Sequence, residues 1–137
     1  MRTDTCRHEP DRSQRLLPPV ATAIRLQSDL ALETVVLNEL ERRGADVGYV
    51  KTAGGAEVGF LARRVGARDE LIQVCADPSD AETLERELRG LGAAAREHPR
   101  AVQRLLVLDR GGLARATVAN VRVQPVYEWL LSRPTGP

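Results

Sequence analysis

Two hydrophobic rhythms alternate along the chain from residue 29 onward. Leu30, Ala31, Leu32, Val35, Val36, Leu37 and Leu40 recur at helical spacing and form a broad apolar face. Ser28 offers an N-cap and Asp29 an acid for the first turn, while Gly44, after Arg42 and Arg43, is a C-terminal stop. The pattern predicts a helix over about residues 29–43. It then changes period. Residues 46–52 read as a strand, Ala53-Gly54-Gly55 as hairpin turn chemistry, and 56–65 as a second strand. Residues 66–70 read as a loop and the mostly apolar run 71–76 as a third strand.

Helical spacing returns after Pro78. Ser79 and Glu82 have the spacing of a capping box, and Leu84, Leu88 and Leu91 form a stripe at i, i+4 and i+7. Gly90 and Gly92 weaken the second half of that helix by about 1 kcal/mol each relative to Ala. His98-Pro99 reads as the punctuation at its end. The charged positions Glu82, Glu85, Arg86, Glu87 and Arg89 are expected to form its solvated face. A buried-looking strand over 102–108 is broken by Gly111-Gly112. Residues 119–123 suggest a further short strand, and Pro125 opens a last helix with Val126, Trp129 and Leu130 on one side. The predicted order is α-β-β-β-α-β-(β)-α, an α/β (α+β mixed sheet) domain over residues 21–133. Residues 1–20, polar and interrupted by Pro10, Pro18 and Pro19, read as a flexible tail or linker, and 134–137 as a second tail.

Composition narrows the function classes. A chain of 137 residues suffices for one ordinary domain. Aromatic residues make up only 3%, so Leu, Val, Ile and Ala must fill the core. The net charge of +1 supplies no electrostatic case for a nucleic-acid or membrane partner. Lys51 is the only lysine among 20 basic residues, and that arginine excess, with abundant alanine, reads as coding bias. Cys6 and Cys75 lack metal-type spacing, and neither His8 nor His98 neighbours a cysteine, which argues against zinc. No apolar run reaches the ~18 residues of a membrane span, and no signal-peptide core is visible, so a cytoplasmic protein is expected.

The two central strands raise a specific chemical question. Side chains at i and i+2 share a face. On the second strand this pairs Glu57 with Gly59, and Val58 with Phe60. On the third it pairs Gln73 with Cys75, opposite Ile72 and Val74. Phosphodiester cleavage wants acidic oxygens converging on one or two Mg²⁺ ions, with a cation near the attacking water. A strand Asp followed by Glu-x-Lys on the next strand, with a Glu from the first helix, meets that need.

Several ordered segments carry a resemblance. Leu32-Glu33, Val36 and Glu39-Leu40 are followed by Glu57-Val58-x-Phe60, then Leu71-Ile72-Gln73-Val74, and finally Pro125-Val126-Tyr127-Glu128-Trp129-Leu130. From about Leu30 to Leu131 the chain resembles the C-terminal domain of prokaryotic AAA-type ATP-binding proteins. That domain is a divergent relative of PD-(D/E)xK nucleases with a restriction-endonuclease-like fold. The resemblance implies a pocket at Glu33, Glu57, Gly59, Gln73 and Cys75. The family's Glu-Val-Asp-Phe reads Glu57-Val58-Gly59-Phe60 here, so the metal-binding Asp is a glycine. Its Glu-x-Lys reads Gln73-Val74-Cys75. The pocket is therefore expected to be degenerate, with no catalytic residue and no cofactor; weak Mg²⁺ or Mn²⁺ binding is the alternative.

The family also implies an ATPase module. This chain contains no G-x-x-x-x-G-K-[ST]. The expected partner is a P-loop ATPase encoded nearby, with no membrane partner. The leading expectation is a non-enzymatic accessory or interaction domain. A weak metal-dependent nuclease and a remnant of a split gene are the alternatives. Each candidate also has a structural reading. Glu33 could be a solvated residue near a helix N-terminus, Glu57 the polar face of a hairpin, Gln73 a hydrogen-bonded buried amide and Cys75 a small buried hydrophobe. Trp129 reads as the core anchor of the last helix.

Overall fold

A computed structural model describes residues 28–111 and 118–134. The expected N-terminal tail, Cys6, His8, Gly112 and residues 135–137 lie outside them. Helix α1 runs through residues 28–42 of the described chain, so Ser28 is already helical and does not cap it. Its C-terminus is closed as the sequence predicts. Gly44 sits at φ 75°, its N–H donates to Glu41 O at 2.9 Å, and Ala45 N–H donates to Leu40 O at 3.0 Å. Glycine adopts that left-handed conformation without steric penalty, and the two bonds satisfy carbonyls the helix leaves free.

Strands β1 (Asp46–Lys51), β2 (Glu57–Arg63) and β3 (Glu70–Cys75) follow as an antiparallel meander. Helix α2 (Ala81–Glu97) carries the chain back, so that β4 (Val102–Val107) pairs parallel to β3 and β5 (Val121–Pro125) parallel to β4. Helix α3 (Val126–Leu131) closes the domain. Among the described residues the fold is a five-stranded mixed sheet in the order β1-β2-β3-β4-β5, with three helices. The β1–β2 loop is held by Gly55 N–H to Thr52 O at 2.9 Å and Thr52 N–H to Ala56 O at 2.8 Å. Gly55 takes φ 85°, as a three-residue hairpin loop ending in a left-handed residue requires.

The sheet is covered on both faces. On one, Leu32, Val36 and Leu40 of α1 and Val126 and Trp129 of α3 meet Phe60, Ala62, Ile72, Val74 and Leu106. On the other, Leu91 and Ala94 of α2 pack on Val50, Val58, Leu61 and Leu71, and Leu84 packs on Cys75, Leu105 and Val107. Arg43 ties α1 to α3. Its Nη2 donates to Trp129 O at 2.8 Å, and its guanidinium lies 4.5 Å from the centre of the Trp129 ring. Glu39 receives Arg43 Nε at 2.6 Å, and hydrogen bonds from Arg42 and Arg43 hold its carboxyl down at about 2.

Three expectations are corrected. The N-cap of α2 is Asp80, not Ser79: Asp80 Oδ1 accepts from Glu82 N–H at 3.2 Å, while Ser79 N–H turns to Asp77 Oδ1 at 2.9 Å. The helix begins at Ala81, so Asp80 and not Ser79 holds the extended N-cap position whose side chain reaches the free N–H. The last strand is Val121–Pro125, displaced from the expected 119–123, because Asn120 at φ 68° belongs to a turn. Finally, Val58 and Phe60 lie on opposite faces. A bulge sets Gly59 and Phe60 against the single residue Tyr49, since Gly48 pairs with Leu61 and Val50 with Val58. The extra residue reverses the alternation, so Val58 points toward α2 and Phe60 toward α1.

The glycines of α2 differ in use. Gly90 is buried, and a Cβ there would lie 3.5 Å from Glu57 O. At Gly92 a Cβ would meet nothing within 4 Å. Gly92→Ala is therefore expected to stabilise the fold by about 0.5–1 kcal/mol through helix propensity alone, read as a raised urea midpoint with unchanged slope.

Candidate functional site

The bulge that reorients β2 also opens the sheet. Pairing of β2 with β3 runs through Phe60–Ile72, Leu61–Leu71 and Ala62–Glu70 and goes no further. Beyond Phe60 the main-chain ladder is replaced by a side chain. Gly59 N–H donates to Gln73 Oε1 at 2.7 Å, and Gln73 Nε2 donates to the Glu87 carboxylate on α2. Gln73 is 8% exposed and satisfied at both ends of its amide. One side chain thus fastens β2, β3 and α2 at a single point.

A cleft of about 1180 Å³ opens above this point, between the β1–β2 hairpin, the first half of α1 and α2. Glu33, Glu57, Gly59 and Gln73 line it, joined by Glu87 and by Arg86, Arg89 and Arg96 of α2. Cys75 does not. It shares a face with Gln73, as expected, but Leu84, Leu105 and Val107 enclose it. That face is helix-covered core at Cys75 and meets the cleft at Gln73. Glu57 is exposed and 3.9 Å from Lys51 across the hairpin, the contact of a polar strand face. Gly59 has no room for a larger residue without adjustment: a Cβ would come 3.1 Å from Ile72 O and 3.5 Å from Gln73 Oε1.

Two carboxylates were not singled out by the sequence. Glu87, assigned to the solvated face of α2, is half-buried and bonded to Gln73, which corrects that expectation. Its position carried a signal, since residue 87 stands at i+3 from Leu84 and i−4 from Leu91, on the inward side. The remaining members of that face behave as expected: Glu82, Glu85, Arg86 and Arg89 are exposed, and Arg89 pairs with Glu85 at 2.9 Å. Asp29 Oδ1 accepts from Ala76 N–H at 2.9 Å at the end of β3.

The electrostatics follow from this geometry. Burial pushes the Glu33 carboxyl up, and the charges of Asp29 and Glu87 push it further. Burial raises Glu87 as well, against the Gln73 hydrogen bond and Arg86, with Asp29 adding to the rise. Burial, then Asp29, Glu87 and Asp77, push the Cys75 thiol up to about 12, so it is not a nucleophile at neutral pH. A carboxyl raised in the folded state binds protons that the unfolded chain has released. Stability is therefore highest below about 4.5 for these groups and is lost as pH rises through the folded-state value. Glu87→Gln keeps an acceptor for Gln73 and removes the charge. It is expected to stabilise the fold at pH 7 by roughly 0.5 kcal/mol after solvent screening, and to flatten its decline between pH 4 and 7 in thermal melts.

Three of the five expected pocket positions, Gly59, Gln73 and Cys75, offer no ready ligand to a divalent metal. Mg²⁺ demands near-octahedral oxygen ligation. Gly59 contributes no side chain, the Gln73 oxygen is occupied by the Gly59 N–H, and the Cys75 thiol is enclosed and protonated. Among the described residues no group of three or more His, Cys, Asp or Glu is placed to hold a metal ion, and no helix is long and apolar enough to cross a membrane. No family model, curated protein or solved structure matches the chain.

Proposed function

We propose that this chain is a nuclease-like domain of the restriction-endonuclease-like class whose metal centre has been replaced by a structural amide, and that it serves as a non-enzymatic accessory module of an AAA-type ATPase. The observation that carries the loss of chemistry is Gln73, whose carbonyl and amino groups are both committed, to Gly59 and Glu87. The element order supports the class: a helix, an antiparallel meander, a crossover helix and a fourth strand parallel to the third, with the cleft where β2 and β3 part. The tie to an ATPase rests on the sequence resemblance.

Mn²⁺ titration followed by electron paramagnetic resonance tests the first half. The purified chain is expected to leave Mn²⁺ free up to about 1 mM and to leave plasmid DNA uncut. Tight binding, with cleavage abolished by Glu33→Gln, would favour the weak nuclease instead. The second half is tested by sequencing the DNA flanking the gene and co-expressing any P-loop ATPase found there. Co-elution of the two chains supports the accessory reading. Separate elution, or no such frame, overturns it.

A further inference from the structure

The end of the sheet remote from the cleft collects arginines that lie far apart in the sequence. We propose that this end is a docking surface for an acidic protein segment carrying apolar side chains. The inference goes beyond the proposed function and does not depend on it.

Arg63 ends β2, and Arg64 and Arg68 flank the β2–β3 loop. Arg68 Nε donates to Arg100 O at 3.3 Å, which brings the α2–β4 loop alongside. Arg104 on β4 stands in register with Arg122 on β5. Carboxylates at this end are fewer. Asp69 pairs with Arg63 at 3.4 Å. Glu70 serves two guanidiniums at once, Arg104 at 3.1 Å and Arg64 at 3.7 Å. Asp46 faces Arg63 across the strand pair. Arg100 and Arg122 are exposed and make no ion pair among the described residues. Arg104 is itself buried and held by Glu70 and Gln124, which leaves Arg122 as the exposed charge of this pair. Guanidinium forks suit carboxylates.

Val65 distinguishes a protein from a nucleic acid. Arg64 to Ala67 form a turn closed by Ala67 N–H to Arg64 O at 3.2 Å, with Gly66 at φ 76° in its third position. A positive φ at that position defines a type II turn, which fixes Val65 at the tip. Val65 is fully exposed, an aliphatic side chain standing among arginines. A phosphate backbone makes no use of it, whereas an apolar anchor within a charged rim is the ordinary anatomy of a protein interface.

Fluorescence anisotropy decides the matter, with a labelled peptide of about twelve residues alternating Glu and Leu, and a thymidylate oligonucleotide of about the same length as competitor. The full chain is expected to bind the peptide at low salt. Binding should weaken at least about tenfold in the variant Arg68→Glu/Arg100→Glu/Arg122→Glu, and about threefold in Val65→Ser. Circular dichroism melts establish that each variant is folded; should the triple variant not fold, Arg122→Glu alone carries the test with an expected loss of about threefold. No peptide binding, equal binding by the arginine variants, or tighter binding of the oligonucleotide would each overturn the proposal.

Discussion

Replacing Gln73 by Ala is expected to lower the stability of the fold by roughly 2–4 kcal/mol, a drop of about 10–20 °C in melting temperature for a domain of this size. The substitution removes the side chain that joins β2, β3 and α2 at one point. It strands the Gly59 N–H, for which β3 offers no main-chain partner, and it takes the amide donor from the half-buried Glu87 carboxylate. Each unsatisfied group costs about 1–3 kcal/mol, with water entering through the cleft to offset part of that at Glu87. Gln73→Glu tests the same bridge by charge. It places a carboxylate beside Glu87, so it should destabilise strongly at pH 7 and recover near pH 4, where one of the two can hold a proton and donate it. Thermal melts at both pH values read the outcome. A loss below about 1 kcal/mol for the alanine variant would mean that the amide does not hold the strands together.

Trp129→Ala is expected to cost about 3–5 kcal/mol. Trp129 is 2% exposed and joins the core formed by α1 and the sheet. Helix α3 has only six residues, too few to persist without tertiary support. Truncating its anchor leaves a large cavity, removes the ring beneath the Arg43 guanidinium, and loosens the carbonyls that Arg43 binds. Urea unfolding followed by far-ultraviolet dichroism gives the loss, because the substitution also deletes the single tryptophan that fluorescence would use. Trp129→Phe keeps an aromatic face and should lose about 1–2 kcal/mol. If the alanine variant loses less than 2 kcal/mol, α3 is an appendage and not part of the core.

The elements were legible wherever a periodic run ended in a strong stop. The stripe at Leu32, Val36 and Leu40 with Gly44 gave α1, and the Ala53-Gly54-Gly55 turn gave the hairpin. The succession of elements and the mixed α/β class followed from the alternation of short apolar runs with helices, whereas the order of strands within the sheet was not read. The faces of β2 were not legible. A bulge inserts one residue into a period of two, and nothing at Gly59 distinguishes a bulge from an ordinary strand glycine until its partner strand is known. Candidate positions from three separate elements, Glu33, Glu57, Gly59 and Gln73, do line one cleft. The alternation placed Cys75 beside Gln73 but could not tell that α2 covers it. Glu87 escaped notice because charge was read as exposure; its helical phase argued the opposite.

The order of strands in space repeats their order in the chain, and this bears on how the molecule is made. A chain leaving the ribosome presents β1, β2 and β3 in sequence, each able to pair with the one just before it through a short loop. Helix α2 then supplies the return, and β4 and β5 each find a finished edge waiting. No strand has to be threaded between two that have already joined. At every stage of synthesis the growing sheet advances by a single edge, and mostly short closures keep the entropic cost of each step low. Such a chain can begin to fold while it is still being translated, and the core beneath α1 is completed when α3 arrives.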